Sequence, residues 1–164
     1  MRALTHGERD LLDSARRAVL ATIDPGGRPR LVPVCFVWFD DAAGGAGPVL
    51  YSPLDAKPKR VADPRRLTRV RDILARPEVT VLVDRWDEDW LRLGWLRLGG
   101  QARLIEPDAE ETRADRDLAI EALLAKYPQY ADHDLGSRPL IEVTIAEASS
   151  WGNLDGQADR RSAR

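Results

Sequence analysis

Residues 50–84, LYSPLDAKPKRVADPRRLTRVRDILARPEVTVLVD, are typical of a strand, a basic turn, a short helix and a second strand in succession. Between residues 57 and 76, only Asp63 and Asp72 oppose a set of eight cations. These cations are Lys57, Lys59, Arg60, Arg65, Arg66, Arg69, Arg71 and Arg76. Eight cations against two anions give this segment a net charge of +6, whereas the whole chain has a net charge of -2. The local reversal of sign predicts that the segment binds an anion.

The composition predicts one globular domain over residues 1–154, followed by a disordered polar tail over residues 155–164. A pI of 5.7 argues against a general nucleic-acid binder. No apolar run approaches the roughly 20 residues that span a bilayer, and the N-terminal residues are too charged for a signal peptide. Cys35 is the only cysteine, so the sequence predicts no disulfide. We therefore expect a cytoplasmic protein.

Hydrophobic periodicity predicts an α+β fold with six antiparallel strands closed into a small barrel. Thr5 and Glu8 have the spacing of a capping box, which predicts a first helix over residues 5–17. The strands are expected at residues 18–24, 30–39, 49–52, 78–84, 91–106 and 140–145. Asp63-Pro64 begins a second helix with Leu67, Val70, Ile73 and Leu74 on its apolar face. A third helix is expected over residues 107–127, with Ile120, Leu123, Leu124 and Tyr127 buried and Arg116 among its solvated residues.

Two of the predicted strands have unusual patterns. Residues 30–39, RLVPVCFVWF, are apolar on both faces, which indicates that the strand is covered by the barrel and also by a cofactor or a second subunit. Pro33 within it indicates a bulge or an edge, because proline donates no ladder hydrogen bond. In residues 91–106 the apolar parity changes near Gly94 or Gly99-Gly100, and a β-bulge is expected there.

The sequence offers few groups for nucleophilic or metal chemistry. His6 begins a helix and His133 lies in a polar loop, where we expect it to be solvated. Neither histidine is near a nucleophile motif such as GxSxG, Cys35 lies in an apolar strand, and no metal-ligand spacing is present. The acids 87–89 follow one another in a turn and are expected to be solvated. No catalytic residue is assigned.

Five tryptophans stand out in a chain with few other aromatic residues: Trp38, Trp86, Trp90, Trp95 and Trp151. Tryptophan fills protein cores, and it also forms the wall of pockets for flat rings. The first interpretation is the more common one. Considered with the cation cluster, however, the set also suits a flat heterocycle that carries an anionic tail.

Four stretches, AVLATIDPGGRPRLVPVCF, LYSPLDAKPKR, RVRDILARPEVTVLVD and DEDWLRLGWLRLGGQARLIE, resemble the pyridoxamine 5'-phosphate oxidase-like superfamily of split β-barrel flavoproteins. Within it the chain is most similar to the branch that uses the deazaflavin coenzyme F420, found chiefly in actinobacteria. The resemblance covers about residues 8–151. It implies a homodimer with two cofactor sites at the subunit interface, and hydride transfer to or from the cofactor ring.

The resemblance also implies positions for the site. Lys57, with Lys59 and Arg60 beside it, matches the turn that contacts the cofactor phosphate, and Arg66 or Arg69 would lie near the tail. The backbone around Val32, Pro33 and Val34 would follow the ring system, while Tyr51 and Ser52 precede the turn and would line the same site. Trp95, Arg97 and Trp151 would come from the partner subunit or close the pocket.

The cofactor and the function leave alternatives open. F420 carries a phosphodiester and an oligoglutamate tail, so eight cations fit it better than the single phosphate of FMN, unless half of them are solvated or paired with acids. FMN-dependent oxidase or reductase activity of the pyridoxamine-phosphate-oxidase type is the alternative. A flavin- or deazaflavin-binding protein without turnover, or a protein-interaction module on the same barrel, are further ones. The two histidines are poorly placed for haem.

Overall fold

The computed structural model describes residues 2–40, 47–54 and 63–154. Three α-helices lie within these residues: α1 (His6–Ser14), α2 (Thr68–Ala75) and α3 (Arg113–Lys126). The seven described strands are β1 (Ala18–Ile23), β2 (Pro29–Val34), β3 (Val37–Phe39), β4 (Val49–Pro53), β5 (Glu78–Arg85), β6 (Gly94–Ile105) and β7 (Leu140–Gly152). Short 3-10 turns occur at Pro64–Arg66, Trp90–Arg92, Glu110–Thr112 and Pro128–Tyr130. None of the described helices is long and apolar enough to cross a membrane.

The strands form one antiparallel sheet in the order β2-β1-β5-β6-β7-β4-β3. β2 and β3 lie at opposite edges of this sheet, although only Cys35 and Phe36 separate them in the sequence. Since three residue steps span at most about 10 Å, the sheet must curve until its edges meet. The predicted α+β antiparallel barrel is confirmed. The strand count is corrected from six to seven, because the strand expected over residues 30–39 is split at residues 35–36.

A single hydroxyl group from α3's C-terminal end satisfies the backbone at the split. The Phe36 N–H leaves the ladder and donates to the Tyr127 hydroxyl oxygen at 3.0 Å, and the same hydroxyl donates to the Phe36 carbonyl at 2.9 Å. Both groups are buried, and an unpaired buried amide would cost free energy. The Tyr127 bond therefore allows the chain to change edges inside the protein.

Lys126 connects α1 to the break between β2 and β3. Its ammonium donates to the Leu12 carbonyl at 3.1 Å and lies 4.2 Å from the centroid of the Phe36 ring. Burial lowers the pKa of Lys126 to about 8, with the nearby Asp13 carboxylate opposing that change. The amine thus joins the end of α1, the split and the end of α3.

Two hydrophobic clusters stabilise the fold. The larger one fills the barrel interior and includes Leu20, Val81, Leu96 and Val143. The second lies where α3 packs on β3 and β4, and its members include Val37, Val49, Tyr51, Ala119, Leu123 and Tyr127. Within a strand such as β1 or β5, the buried residues stand at alternate positions, because successive side chains of a strand point to opposite faces.

Helix α2 differs from its prediction in two ways. Asp63 caps as expected by accepting from the Arg65 N–H at 3.0 Å, but it caps a 3-10 turn, and the helix begins again after Leu67. Leu74, predicted in the apolar stripe, is 65% exposed, because Val70 and Ile73 already occupy the inward face. The apolar stripe is therefore narrower than the periodicity indicates.

Helix α3 also begins later than predicted, at Arg113, after a 3-10 turn at residues 110–112. Arg116, predicted to be solvated, is only 5% exposed, whereas Leu124, predicted to be buried, is 41% exposed. The Arg116 guanidinium donates through one nitrogen to the carbonyls of Leu135, Gly136 and Arg138. An arginine is buried here because the loop before β7 needs donors for its carbonyl groups.

The predicted β-bulge is confirmed at Gly99-Gly100, where the register between β6 and β7 shifts. A Cβ atom on Gly100 would lie 2.1 Å from the Thr144 carbonyl oxygen, so only glycine allows β7 to approach. β6 begins at Gly94 rather than at residue 91, where the chain forms a 3-10 turn, and β7 extends to Gly152 rather than ending at 145. The interpretation of the tryptophans as core residues holds for Trp38, which is partly buried and packs against the barrel core, whereas Trp86, Trp90 and Trp151 are exposed and Trp95 is half-buried.

The capping box of α1 is confirmed and joins the two ends of the described chain. Glu8 accepts from the Thr5 N–H at 2.9 Å, from the Ser150 hydroxyl at 2.7 Å and from the Arg2 guanidinium. Its side chain is almost fully buried. The Arg2 hydrogen bond, followed by those of Ser150 and Thr5, lowers the pKa of Glu8 to about 2 against the opposing effect of burial.

We expect Tyr127→Phe to lower the free energy of unfolding by about 3 kcal/mol, since it leaves two buried backbone groups of Phe36 without a partner. Urea denaturation measures this difference. Ser14→Ala, which removes an exposed hydroxyl bonded to the Asp10 carbonyl, is the control and should cost well under 1 kcal/mol. A Tyr127→Phe protein as stable as the wild type would show that the bond does not support the split.

The free energy of unfolding should depend on the protonation of Glu8 at acid pH. Because folding lowers the pKa of Glu8 from 4.5 to about 2, its contribution is complete above pH 4.5 and is lost as the pH falls toward 2. Glu8→Gln should remove roughly 2–3 kcal/mol at neutral pH, and the difference from wild type should shrink through that window. Urea midpoints measured at a series of pH values test this. Asp10→Asn, an exposed change on the same helix, should leave the pH dependence as in the wild type.

Candidate functional site

Strand β2 has an edge without a strand partner and an exposed outer face. It pairs only with β1, so one side of its backbone forms no ladder. Val34 points into the core and Val32 packs against it, whereas Pro33 is exposed and Leu31 is 66% exposed. Within one chain the strand is covered on its inner face alone. No described residue provides the second cover that the sequence predicts, and that expectation stays a prediction.

Helix α2 is fixed beside this hairpin by a buried carboxylate. Asp72 accepts from the Thr22 hydroxyl at 3.0 Å and faces the Arg30 guanidinium at 3.5 Å. Arg30 also donates to the Asp24 carboxylate at 3.2 Å, and Asp24 accepts a further hydrogen bond from the Arg28 side chain. The backbone N–H of Arg28 is the first cause that lowers the pKa of Asp24. One of the two acids in the basic segment is thus an internal connection between α2 and the β1–β2 hairpin.

The described cations of the basic segment do not share one environment. Arg65 forms a two-pronged contact with Glu106, at 3.1 Å and 2.5 Å, so it is occupied. Arg66 is exposed and forms no ion pair with the residues that the structure describes. Arg69 is half-buried, with its Nε atom inside the protein. Lys57, Lys59 and Arg60, which carry the main sequence prediction, lie outside the described residues.

Tyr51 and Ser52 are placed by the structure inside the chain. The Tyr51 hydroxyl donates to Glu142 at 3.2 Å, and Glu142 also accepts from Arg103 at 2.6 Å. Burial, reinforced by the Glu142 charge, raises the pKa of Tyr51. Ser52 is equally buried and pairs with Ile141 of β7. Because both side chains are enclosed, the structure gives them a place in the core and no surface for a ligand.

Trp95, Arg97 and Trp151, in contrast, are brought together. Trp95 and Trp151 are paired directly across β6 and β7, and the Arg97 guanidinium lies 5.7 Å from the centroid of the Trp95 ring. The Arg97 Nε–H donates to the Ser149 hydroxyl at 3.2 Å, which fixes its direction. The three side chains form a polar and aromatic surface at one end of the β6–β7 pair.

Pro33 of β2 and Arg97 of β6 lie on the same outer face of the sheet, but at a distance from each other. Residues opposite each other across a sheet project from the same face. The register places Pro33 beside Val19, Val19 beside Leu82, and Leu82 beside Arg97. Three strand spacings separate Pro33 from Arg97, which is about 14 Å along the sheet. A ligand that lies along β2 therefore does not reach Arg97 of the same chain with its ring.

A groove that the sequence did not predict lies on this outer face, between β2 and the surface formed by Trp95, Arg97 and Trp151. It has a volume of about 440 Å³ and is lined by Ala21, Ile23, Thr80, Gly99, Gln101 and Glu147 among others. Gly99, which pairs with Thr80, leaves this face without a side chain at the centre of the groove. The only sequence signal for it is Gly99-Gly100 itself.

The two histidines and the acids are the candidate metal ligands among the described residues. No group of three or more His, Cys, Asp or Glu side chains there could hold a metal ion. His6 is exposed beside Asp10. His133, predicted to be solvated, is half-buried, and its ring packs edge-on against Tyr130 at 5.6 Å. His133 is half-buried because the 3-10 turn at residues 128–130 buries Tyr130 against α3, and the His133 ring packs on Tyr130.

An antiparallel barrel whose closing strand is split, with a basic helix beside the free strand edge, places this chain in the split-barrel class. A family model described as pyridoxamine 5'-phosphate oxidase matches residues 4–152. The chain belongs to that family.

Solved structures agree with the fold. A FAD-binding protein from Mesorhizobium loti is 22% identical, with a TM-score of 0.58, and the match covers 91% of this chain and 95% of that one. An F420 reductase is 22% identical, with a TM-score of 0.59 and coverage of 89% and 98%. A haem storage protein from Vibrio cholerae is 15% identical, with a TM-score of 0.61 and coverage of 93% and 95%. A comparison with curated proteins gave no significant match.

We expect Asp72→Asn to lower the free energy of unfolding by about 2 kcal/mol, because the amide offers Arg30 no charge and places an NH2 group where one oxygen accepted a hydrogen bond. Thermal or urea denaturation measures the loss. Asp63→Asn is the matched control within the same segment, since its carboxyl is exposed and asparagine also caps. Equal stability of the two variants would contradict the connecting role of Asp72.

Proposed function

We propose that this protein is an oxidoreductase that binds the deazaflavin coenzyme F420 and transfers hydride between the cofactor ring and a small molecule. Membership of the pyridoxamine 5'-phosphate oxidase family supports a flavin-type cofactor. The FAD-binding protein and the F420 reductase among the structural neighbours support the same class of ligand. The cofactor itself supplies the hydride chemistry, and the protein supplies binding and orientation.

The observation that carries the proposal is the position of the basic helix next to an open strand edge. Asp72 holds α2 against the inner face of the β1–β2 hairpin at Thr22 and Arg30; the helix carries the half-buried Arg69, and the exposed Arg66 lies in the turn before it. An anionic tail at the helix and a flat ring along β2 would use both features. Charge-assisted hydrogen bonds from arginine and lysine are the strong contacts for a phosphate.

Lys57, Lys59 and Arg60 complete the proposed phosphate site. They lie in the chain between the end of β4 and Asp63, which leads into the 3-10 turn before α2. We propose that Lys57 contacts the cofactor phosphate and that Lys59 and Arg60 add charge beside it. Val32 and Val34 contribute their backbone along the ring, while Tyr51 and Ser52 contribute only by fixing β4, from which the turn departs.

We prefer F420 to FMN because of the amount of positive charge that remains after internal pairing. Arg65 is occupied by Glu106, but Arg66, Arg71 and Arg76 are exposed in addition to the three cations of the turn. One phosphate needs two or three such donors, whereas a phosphodiester with a glutamate tail distributes its charge over a longer path. FMN-dependent oxidase or reductase activity is the second candidate, and the family match favours it.

A homodimer with two cofactor sites at its interface is part of the proposal. Trp95 and Arg97 lie about 14 Å along the sheet from β2 of their own chain, and Trp151 lies one strand further away. A second subunit would bring an equivalent set to the ring from outside, and it would cover the exposed Leu31 and Pro33. A binding protein without turnover would have the same architecture, so reduction or oxidation of an acceptor with F420 separates the two functions.

Lys57→Ala should weaken F420 binding at least about tenfold, because a hydrogen bond to a charged group contributes roughly 1.5–3 kcal/mol. Fluorescence titration of the deazaflavin measures the affinity. Arg113→Ala, which removes one exposed cation paired with Glu110 on α3, is the control and should bind like the wild type. Unchanged affinity in Lys57→Ala would remove this residue from the site, and no binding of F420 or FMN by the wild type would overturn the proposed function.

A further inference from the structure

The segment between β5 and β6 exposes three large apolar side chains. Trp86 is 74% exposed, Trp90 is 78% exposed and Leu91 is 77% exposed. We refer to residues 86–93 as the tryptophan turn. An exposed apolar patch with polar residues around it marks an interaction site on a protein surface.

Hydrogen bonds hold the tryptophan turn in a defined shape. The Asp89 N–H donates to the Asp87 carboxylate at 2.9 Å, and the Leu91 N–H donates to the Asp89 carboxylate at 3.0 Å. Arg92 pairs with Asp87 at 3.3 Å, and Arg85 donates to the Arg92 carbonyl at 2.9 Å. The exposed rings thus stand on an ordered backbone, which lowers the entropy lost when they bind.

The tryptophan turn and the two residues before it carry an excess of negative charge. The acids of residues 84–92 are Asp84, Asp87, Glu88 and Asp89. Only Arg85 and Arg92 oppose these four carboxylates, so the net charge of the segment is -2. Glu88 and Asp89 form no ion pair with the residues that the structure describes. The exposed rings therefore lie beside negative charge that no described cation neutralises.

The chain leaves the barrel directly beside this turn. Gly152, at the end of β7, has a φ of +91°, and a Cβ atom there would lie 2.2 Å from the Leu93 carbonyl oxygen. The Asn153 N–H donates to that carbonyl at 3.2 Å, and the Arg85 guanidinium donates to the Asn153 carbonyl. Leu154 then packs into the barrel core. Residues 152–154, which we refer to as the hook, therefore fix the point from which the following residues depart.

The residues after the hook carry the opposite charge. Residues 155–164 lie outside the described residues, so the disordered tail expected there stays a prediction. Their acids, Asp155 and Asp159, come first, and their cations are Arg160, Arg161 and Arg164. Residues 160–164, which we refer to as the arginine segment, thus have a net charge of +3. This charge is complementary to that of the tryptophan turn.

The arginine segment is close enough in the chain to reach the turn. Six residue steps from Leu154 to Arg160 span at most about 20 Å. Trp90 lies three steps before Leu93, whose carbonyl binds Asn153, and three steps span at most about 10 Å. The connection is therefore longer than the distance to this part of the turn.

We propose that the arginine segment docks on the tryptophan turn of the same chain, with guanidinium groups over the Trp86 and Trp90 rings and opposite Glu88 and Asp89. A docked segment replaces the disorder that its composition predicts. Arginine suits this surface because its planar group stacks on tryptophan faces and also pairs with carboxylates. Because the hook holds the start of the tail beside the turn, the effective concentration is about millimolar, and weak contacts are sufficient.

The first test follows the indole N–H signals by NMR in protein labelled with 15N-tryptophan. Replacing the cations, in Arg160→Ser/Arg161→Ser/Arg164→Ser, should shift the Trp86 and Trp90 signals, because the charged groups over these rings are then absent. Spectra of Trp86→Phe and Trp90→Phe assign the two signals. Identical signals of the two exposed rings in the triple variant and the wild type would overturn the proposal.

Two controls show whether such a shift is specific. The indole N–H of Trp38 is bonded to Asp13 at 2.7 Å, and its signal should not move in the triple variant. Gln157→Ser/Ser162→Ala changes the same tail without changing its charge, and it should leave all five tryptophan signals in place. An equal shift in this variant would show that the charge of the arginines is not the cause and would contradict the proposal.

The second test exchanges charges between the two surfaces. Glu88→Lys should shift the same two signals, since like charges then face each other. Adding Arg160→Glu/Arg161→Glu to Glu88→Lys should move them back toward their wild-type positions. Glu121→Lys, which reverses an exposed acid on α3, is the matched control and should leave them unchanged. If the combined variant does not restore the signals, the arginines do not face Glu88.

The third test places a spin label on the tail. Cys35 is the only cysteine, so Cys35→Ser/Ala163→Cys accepts a single nitroxide label. The label should broaden the signals of the two exposed rings at low salt. This broadening should be lost in sodium chloride of about 0.5 M, where the screening length is only about 4 Å. Broadening of Trp95 and Trp151 alone would place the tail on the other aromatic surface and rule out the proposed contact.

A mixture of two proteins tests whether the contact lies within one chain. One carries the spin label without 15N, and the other carries 15N-tryptophan without the spin label. The mixture should show no broadening, and broadening would show that the segment crosses to a second copy, which contradicts the proposal. None of these measurements requires a cofactor, so they decide the contact whether or not the protein binds F420 or FMN.

Discussion

The hydrogen bonds between the Tyr127 hydroxyl and the backbone of Phe36 allow this sheet to close. A seven-stranded sheet whose two edge strands are consecutive in the chain must break its ladder at one point inside the protein. At that point an N–H and a C=O lose their strand partners, and in this fold one phenol satisfies both. Tyr127 and Lys126, at the C-terminal end of α3, thus both contact Phe36 where the barrel closes.

The closure leaves one strand of the sheet exposed. Because the chain turns from β2 to β3 at residues 35–36, β2 keeps an unpaired edge and an exposed outer face. Asp72 then fixes the basic helix against the hairpin that contains this edge. The basic helix is thus joined to the β1–β2 hairpin through one buried carboxylate, in addition to the core contacts of Val70 and Ile73.

Several features of the fold were predictable from the sequence because they depend on local rules. The α1 capping box and the Gly99-Gly100 bulge follow from local rules, since each depends on residues close in sequence. The break at residues 35–36 was not predictable from periodicity, because a buried phenylalanine looks the same inside a strand as between two strands. Its partner Tyr127 lies 91 residues away.

The candidate site was predictable only in part. The pairing of Trp95 with Trp151 follows from the register of β6 and β7, and Arg97 lies beside Trp95 because the two residues are two positions apart on one strand. The burial of Tyr51 was missed because its acceptor, Glu142, is equally distant in sequence, and an isolated acid in a strand gives no signal. Arg116 was misjudged for the same reason, since the carbonyls that bind it belong to a loop that periodicity does not describe.

We propose that the basic segment binds the anionic tail of F420, and one direct measurement tests this. The wild-type protein can be titrated with F420 and with FMN, at low and at high salt concentration. F420 should bind more tightly than FMN, and its advantage should shrink as salt screens the exposed arginines. Tighter binding of FMN, or binding of F420 that does not depend on salt, would contradict the assignment of the basic segment to the deazaflavin tail.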